Sequence, residues 1–347
     1  MSCGASSVSP ANLTEADKLQ RAAIERIQFD KLSKIVKSLR RIEVPTIAKD
    51  ALSDLSITLG RPLDVDGSLS SLSDTASTFF LPCDWPHDVL EYKTWSQRSF
   101  WRNMEHVILD SAINLQIPDI RSRWFEECLL RLSDLVPDLW NSWCNLDCIW
   151  EELRLHLPLR LFYRPRHTAI YHESYSRWVM LTHEELDMPH ASCFVLDSGT
   201  PDENAILLSE AEAAAALVKH QLRNGIYTSH HTKPVLLATV MRNQTGRITQ
   251  AHFDGKQNKL VLRQSRTMDL SGEKPSSDAW TMLRWIASQP VGQTRYEIGD
   301  TEEGACGNNN PAHDVSFTPK YLQNQDPRQR EALVPEVGTG SGYPSRC

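Results

Sequence analysis

The sequence predicts an α+β protein: a helical N-terminal half, then a mixed α/β domain built on a helix–three-strand–helix core. Three observations carry the expectation. Residues 14–43 repeat apolar side chains at three- and four-residue steps. Seven of the ten tryptophans fall between Trp85 and Trp150, within helix-like periodicity. From residue 158 onward the chain changes to short runs of β-branched and aromatic residues broken by Pro and Gly, which is the composition of strands.

Residues 14–43 read as one long amphipathic helix. Thr14 caps it, and Glu15 and Asp17 place negative charge in the first turn, where the helix dipole favours it. Leu19, Ala23, Ile27, Ile35, Leu39 and Ile42 form the apolar stripe, interrupted at Asp30 and Lys31, and Pro45 ends the segment. Such a helix either docks on its own domain or binds a protein partner or a second copy as a coiled coil. A second, short helix is expected over 46–59, stopped by Gly60-Arg61-Pro62. These pieces make an N-terminal helical arm, 1–63.

Residues 64–78 are rich in Ser and Asp without apolar periodicity, and read as a linker. Residues 79–157 form the Trp-rich helical block, with Trp85, Trp95, Trp101, Trp124, Trp140, Trp143 and Trp150 expected in its core, because a buried indole dominates packing energetics.

The mixed α/β domain is expected over 158–298. The runs RLFYR, TAIYH, SRWVMLT and CFVLD are strands, and residues 207–222 are a helix with Ser209 at its N-cap and Gly225 beyond its end. PVLLATVM is apolar throughout and so lies inside a sheet. GRITQAHFD and KLVLRQSR pair through the four-residue loop Gly255-Lys256-Gln257-Asn258. SSDAWTMLRWIAS closes the domain as a helix capped by Ser276 or Ser277. The remainder, 299–347, combines Gly, Pro and excess acid with no apolar repeat, and reads as a disordered tail.

Composition excludes several classes. A net charge of −7, from 37 basic and 44 acidic residues, argues against nucleic acid as a partner. No apolar run reaches the ~18 residues a membrane helix needs, so no membrane is expected. The first residues lack a signal-peptide pattern, which points to the cytoplasm or nucleus rather than secretion. Cys144 and Cys148, four apart and on one face if helical, have no partner pair at zinc spacing and read as buried thiols.

The chain contains no phosphate-binding loop, no dinucleotide fingerprint, no nucleophile elbow, no HExxH and no kinase signature. Three constellations remain. His252 and Asp254 with the distant His313 have the make-up of an iron facial triad, but a hairpin in which Asp254 shapes the turn before Gly255 is the better reading of the first two. Restriction-type nucleases share the helix–three-strand–helix order, with Glu210 or Glu212 as the helix acid and Asp254 on the second strand. The third strand, from Lys259 to Gln264, lacks their acid-x-Lys, so the fold would be catalytically inactive. The histidines His167, His172, His183, His190, His230 and His231 have no metal-site spacing and read as structural. No metal, cofactor or catalytic residue is assigned.

Three stretches in 160–297, RLFYRPRHTAIYHESYSRWVMLTHEEL, GRITQAHFDGKQNKLVLRQSR and AWTMLRWIASQPVGQTRYE, resemble a group of uncharacterised proteins from filamentous ascomycete fungi. The resemblance implies no activity. Some such proteins are encoded beside secondary-metabolite genes, which implies an accessory role. The function expected is therefore a non-catalytic intracellular interaction protein. The alternative is an enzyme of fungal secondary metabolism whose site is assembled without a linear motif.

Overall fold

The computed structural model describes residues 14–67, 78–83, 124–125, 128, 143–145, 160–163, 170–182, 187–200, 203–223, 227–272 and 274–296. Helices and a mixed sheet together make the protein α+β, as the class was read. The tail 299–347 and most of 79–157, including Trp85, Trp95, Trp101, Trp140 and Trp150, lie outside the described residues.

Helix α1 (Glu15–Leu39) starts where the sequence puts it. Thr14 Oγ1 accepts from the Asp17 amide at 3.2 Å, and the Thr14 amide donates back to Asp17 at 3.1 Å, a reciprocal capping box. Its docked face differs from the expected stripe. Leu32, Ile35, Val36 and Leu39 are buried, but Leu19 is 67% and Ile27 57% exposed, while Glu25 and Gln28 are buried. The helix is apolar on two opposite sides, and only one of them meets the body.

Residues 46–59 are a correction. The expected helix is instead β1 (Thr46–Ala48), a 3-10 turn (Lys49–Leu55) and β2 (Ile57–Leu59). Ser56, at φ 58, ends the turn in the left-handed region and sends the chain into an extended run. Distant strands decide the outcome: β1 pairs with β8 (Ala205–Leu207), and β2 runs parallel to β11 (Lys259–Gln264). The N-terminal half is therefore not wholly helical. Its described strands also include β3 (Phe80–Leu81) and β4 (Trp143–Asn145), the latter within a run expected to be helix.

Residues 64–67, expected to open a linker, are fastened to the body. Asp64 accepts from the amides of Asp66 and Gly67, Val65 is 7% exposed, and Asp66 receives both Arg266 Nε (2.6 Å) and Nη2 (2.7 Å). Residues 68–77 lie outside the described residues.

The main sheet is completed by β5 (Arg160–Tyr163), β6 (Ile170–Thr182), β7 (Ala191–Asp197), β9 (Val235–Met241), β10 (Thr245–Asp254) and β12 (Met268–Asp269). Among the described residues its order is β2-β11-β10-β9-β7-β6-β4, with β12 against β10 and β5 against β6. β9 is buried along its whole length between parallel β7 and antiparallel β10. The β10–β11 hairpin closes at Asp254↔Lys259, around the loop read from sequence. The runs TAIYH and SRWVMLT join into the single strand β6.

Helices cover both faces of this sheet. On one side α2 (Leu208–Arg223) packs on Cys193, Val195, Val235 and Leu237, and α1 packs outside it. Ala211, Ala213, Ala214 and Ala215 are fully buried, and small side chains let α2 lie close to helix and sheet at once. On the other side α3 (Ser277–Ile286) covers Phe194, Leu196, Leu236, Ala238 and Ile248. Its N-cap is Ser276, whose Oγ accepts from the Ala279 amide at 3.1 Å. Trp124, 1% exposed, lies in that second cluster, edge-on to Trp280 at 5.4 Å. Ser209 does not cap α2; it lies in the first turn and donates to Asp197 instead.

Candidate functional site: a histidine-lined cleft and a neutralised polar belt

Three segments meet where the parallel strands β7 and β9 begin: 187–190 leading into β7, 229–233 leading into β9, and 291–295 following the short strand β13 (Gln289–Pro290), which pairs with β3. The joins are backbone hydrogen bonds. The Val291 amide donates to Phe79, the His231 amide to Thr294, and the Tyr296 amide to Ser229. Between them lies an open cleft of ≈ 360 Å³, within the range of small-ligand sites.

His230, 2% exposed, forms the floor. Its Nε2 faces the Asp187 carboxylate at 3.2 Å, and its Nδ1 faces the Thr294 hydroxyl at 2.7 Å. A carboxylate accepts only, so Nε2 carries the proton and donates to Asp187, and Nδ1 accepts from Thr294. Arg295 Nη2 donates to the other Asp187 oxygen at 2.6 Å. His190, also 2% exposed, shares its Nε2 proton with the Val291 carbonyl at 3.0 Å and lies edge-on to Phe80.

Burial holds both imidazoles neutral. Desolvation lowers His230 to about 4; Asp187 pulls it upward, and Arg295 and Lys233 oppose that pull. Desolvation likewise takes His190 to about 4, against the raising hydrogen bond to Val291. The hydroxyl–imidazole–carboxylate order is that of nucleophilic acyl transfer. An imidazole near 4 is a weak base at neutral pH, however, and Thr294 is only 5% exposed.

Ligands of open α/β sheets usually sit at the carboxyl ends of parallel strands. Here the described polar groups at that end of β7 are paired with one another. Asp197, at the end of β7, accepts from Ser209 Oγ (2.6 Å) and the Gly199 amide (2.7 Å) and lies 3.1 Å from His172 Nε2. One residue along α2, Glu210 is fully buried and receives four donors. Arg247 contributes Nε at 3.0 Å and Nη2 at 2.5 Å, Gln264 a bond at 2.8 Å, and Thr249 one at 3.4 Å. The Arg247 guanidinium thus engages both oxygens of the Glu210 carboxylate.

The acids suggested for a nuclease site are not brought together. Glu210 meets β10 at Arg247 and Thr249, whereas Asp254 ends β10 and accepts from the amides of Lys256 and Gln257 in the turn. Glu212 faces Arg160 at 3.6 Å, and burial raises its pKa against the pull of Arg160 and Arg40. His252 packs edge-on to Phe79 at 5.2 Å and falls to about 4, chiefly through burial, while Asp254 resists the fall. His313, His167, His183 and Cys148 lie outside the described residues, and Cys144 is in β4. Of the histidines read as scattered, His190 and His230 share the cleft, His172 joins Asp197, and His231 faces Thr232 and Tyr296.

Asp187, Thr294 and Arg295 were missed by sequence reasoning. Asp187 is 43 residues and Thr294 64 residues from the histidine they flank, so no local spacing announces them. Among the described residues, no group of three or more His, Cys, Asp or Glu is placed to hold a metal ion. No family model matches this chain, nor does any curated protein or solved structure.

Proposed function

We propose that this chain is a non-catalytic interaction protein that binds a helical partner through the outer face of α1. The observation that carries the reading is the placement of Leu19, Ala23 and Ile27. They follow one another at four-residue steps, all exposed, on the side of α1 opposite the buried Leu32, Ile35 and Leu39. Two large apolar side chains exposed in line on a helix that otherwise presents charge mark a contact surface. The neutralised Glu210–Arg247 pair supports a scaffold rather than a reaction centre. In this reading the α2–β9–β10–β11–α3 run is a supporting core, and any kinship with restriction-type nucleases is one of fold without cleavage.

The test places a photoreactive benzoylphenylalanine at Ile27. Irradiation in the native cell should give an adduct of one discrete mass, lost when Leu19→Asp is added. An adduct no stronger than that from the same group at Lys256, in the hairpin loop, would overturn the reading.

One observation favours a second reading, an enzyme without a linear motif: the Thr294–His230–Asp187 relay on the floor of the cleft. Activated esters should then be hydrolysed by the wild type and not by Thr294→Val. Equal rates for the two proteins exclude it.

A further inference from the structure

We infer that the partner of α1 is a second copy of this chain, bound through the same helix, antiparallel and centred on Ala23. The inference rests on the reading that the outer face of α1 is the contact surface, and it names the occupant. The row at four-residue steps extends beyond the apolar stripe at both ends: Glu15, Leu19, Ala23, Ile27, Lys31. All five residues are exposed. Read in the two directions, the row is self-complementary. About a two-fold axis at Ala23, Glu15 of each copy meets Lys31 of the other, and Leu19 meets Ile27. Ala23 faces its own counterpart, where a small side chain permits close approach.

Helix geometry allows the match. Residues four apart form ridges inclined to the helix axis, and two helices crossing at about 50° bring such ridges along one another. The antiparallel sense is selected by charge. A parallel pairing in register would set Glu15 on Glu15 and Lys31 on Lys31, and like charges in contact oppose it. Among the described residues Glu15 pairs with the exposed Lys18, at 3.4 Å, an interaction too weak to prevent exchange of partners. A five-residue row on one helix is small beside the ~1,200 Å² buried by stable assemblies, so a weak, reversible pair governed by concentration is expected.

Sedimentation equilibrium of the full chain from ~10 µM to ~1 mM reads the association. The wild type should pass from monomer to dimer across that range, while Glu15→Lys and Lys31→Glu should each remain monomeric. Mixing the two variants should restore association, because each then supplies the charge the other lacks; this recovery also shows that neither variant has merely lost its fold. A wild type that stays monomeric throughout overturns the inference. If the adduct at Ile27 then has a mass other than twice the chain, the partner-binding reading stands without self-pairing. Single variants that associate like the wild type, or a mixture that does not recover, overturn the antiparallel register.

Discussion

Glu25 on α1 and Lys233 at the approach to β9 form an ion pair inside the protein, with side-chain exposures of 7% and 2%. Lys233 Nζ also donates to the His230 carbonyl at 2.7 Å, so the ammonium ties the N-terminal helix to the backbone of the cleft floor. Burial lowers the pKa of Lys233, and the Glu25 carboxylate opposes that shift. In the first half of α1, Leu19 and Ile27 face outward.

Removing one partner of this pair leaves a charge in a desolvated place. Glu25→Ala should cost about 3–5 kcal/mol in urea unfolding, whereas Glu25→Leu combined with Lys233→Met should recover most of that loss. A single variant as stable as the wild type would show that water reaches the site.

Acid should weaken the fold through its imidazoles. His190, His230 and His252 are each held at about 4 by burial, against an ordinary value of 6.5. Between those values only the unfolded chain takes up protons. Stability is therefore complete above about pH 6.5 and is lost as pH falls towards about 4, by at most about 3 kcal/mol for His190. Urea midpoints across this window should fall with pH, and less steeply in His190→Gln. A flat profile contradicts the assignment.

The buried strand β9 and the exposed β10–β11 loop provide a contrast. Val235 and Leu237 are fully buried under α2, so Val235→Asp or Leu237→Asp sets an unpaired carboxylate in the core, costs several kcal/mol and should leave the protein insoluble. Gln257→Ala, in the exposed hairpin loop, should be nearly silent. The comparison is read from soluble yield and melting temperature; similar behaviour of the two classes contradicts the topology.

Gly292 stands at φ 87, and a Cβ there would collide with the Thr78 carbonyl oxygen, where 291–292 passes the β3 region. Gly292→Ala should combine left-handed strain of about 1–3 kcal/mol with that collision. At Gly272, φ 93, an added Cβ would come no closer than 3.8 Å to any described atom, the Lys274 carbonyl oxygen, so Gly272→Ala should lower the melting temperature less. Equal shifts would mean that the chain beside Thr78 yields freely.

What was legible in the sequence is local. Thr14 and Asp17 fix the start of α1 through bonds between residues three apart, and Ser276 does the same for α3. The unbroken apolar run 235–241 placed β9 inside a sheet, because a strand with no polar face has no side to give to water. Asp254 beside Gly255 marked the hairpin turn through bonds to the next amides.

What only the tertiary structure decided depends on pairings between distant segments. Residues 46–59 carry Ile47, Ala51, Leu55 and Leu59 at helical spacing, yet Leu260–Leu262 and Ala205–Leu207 offer strand edges that outcompete local helix formation. The docked side of α1 was misread because its sequence has apolar residues on two sides, and the position of α2 and of Lys233 chooses between them. The cleft needed three loops that converge only when β7 and β9 lie side by side and β13 pairs with β3. A capping bond acts over three residues and is written in the sequence; a cleft joined across 108 residues exists only once the chain has closed on itself.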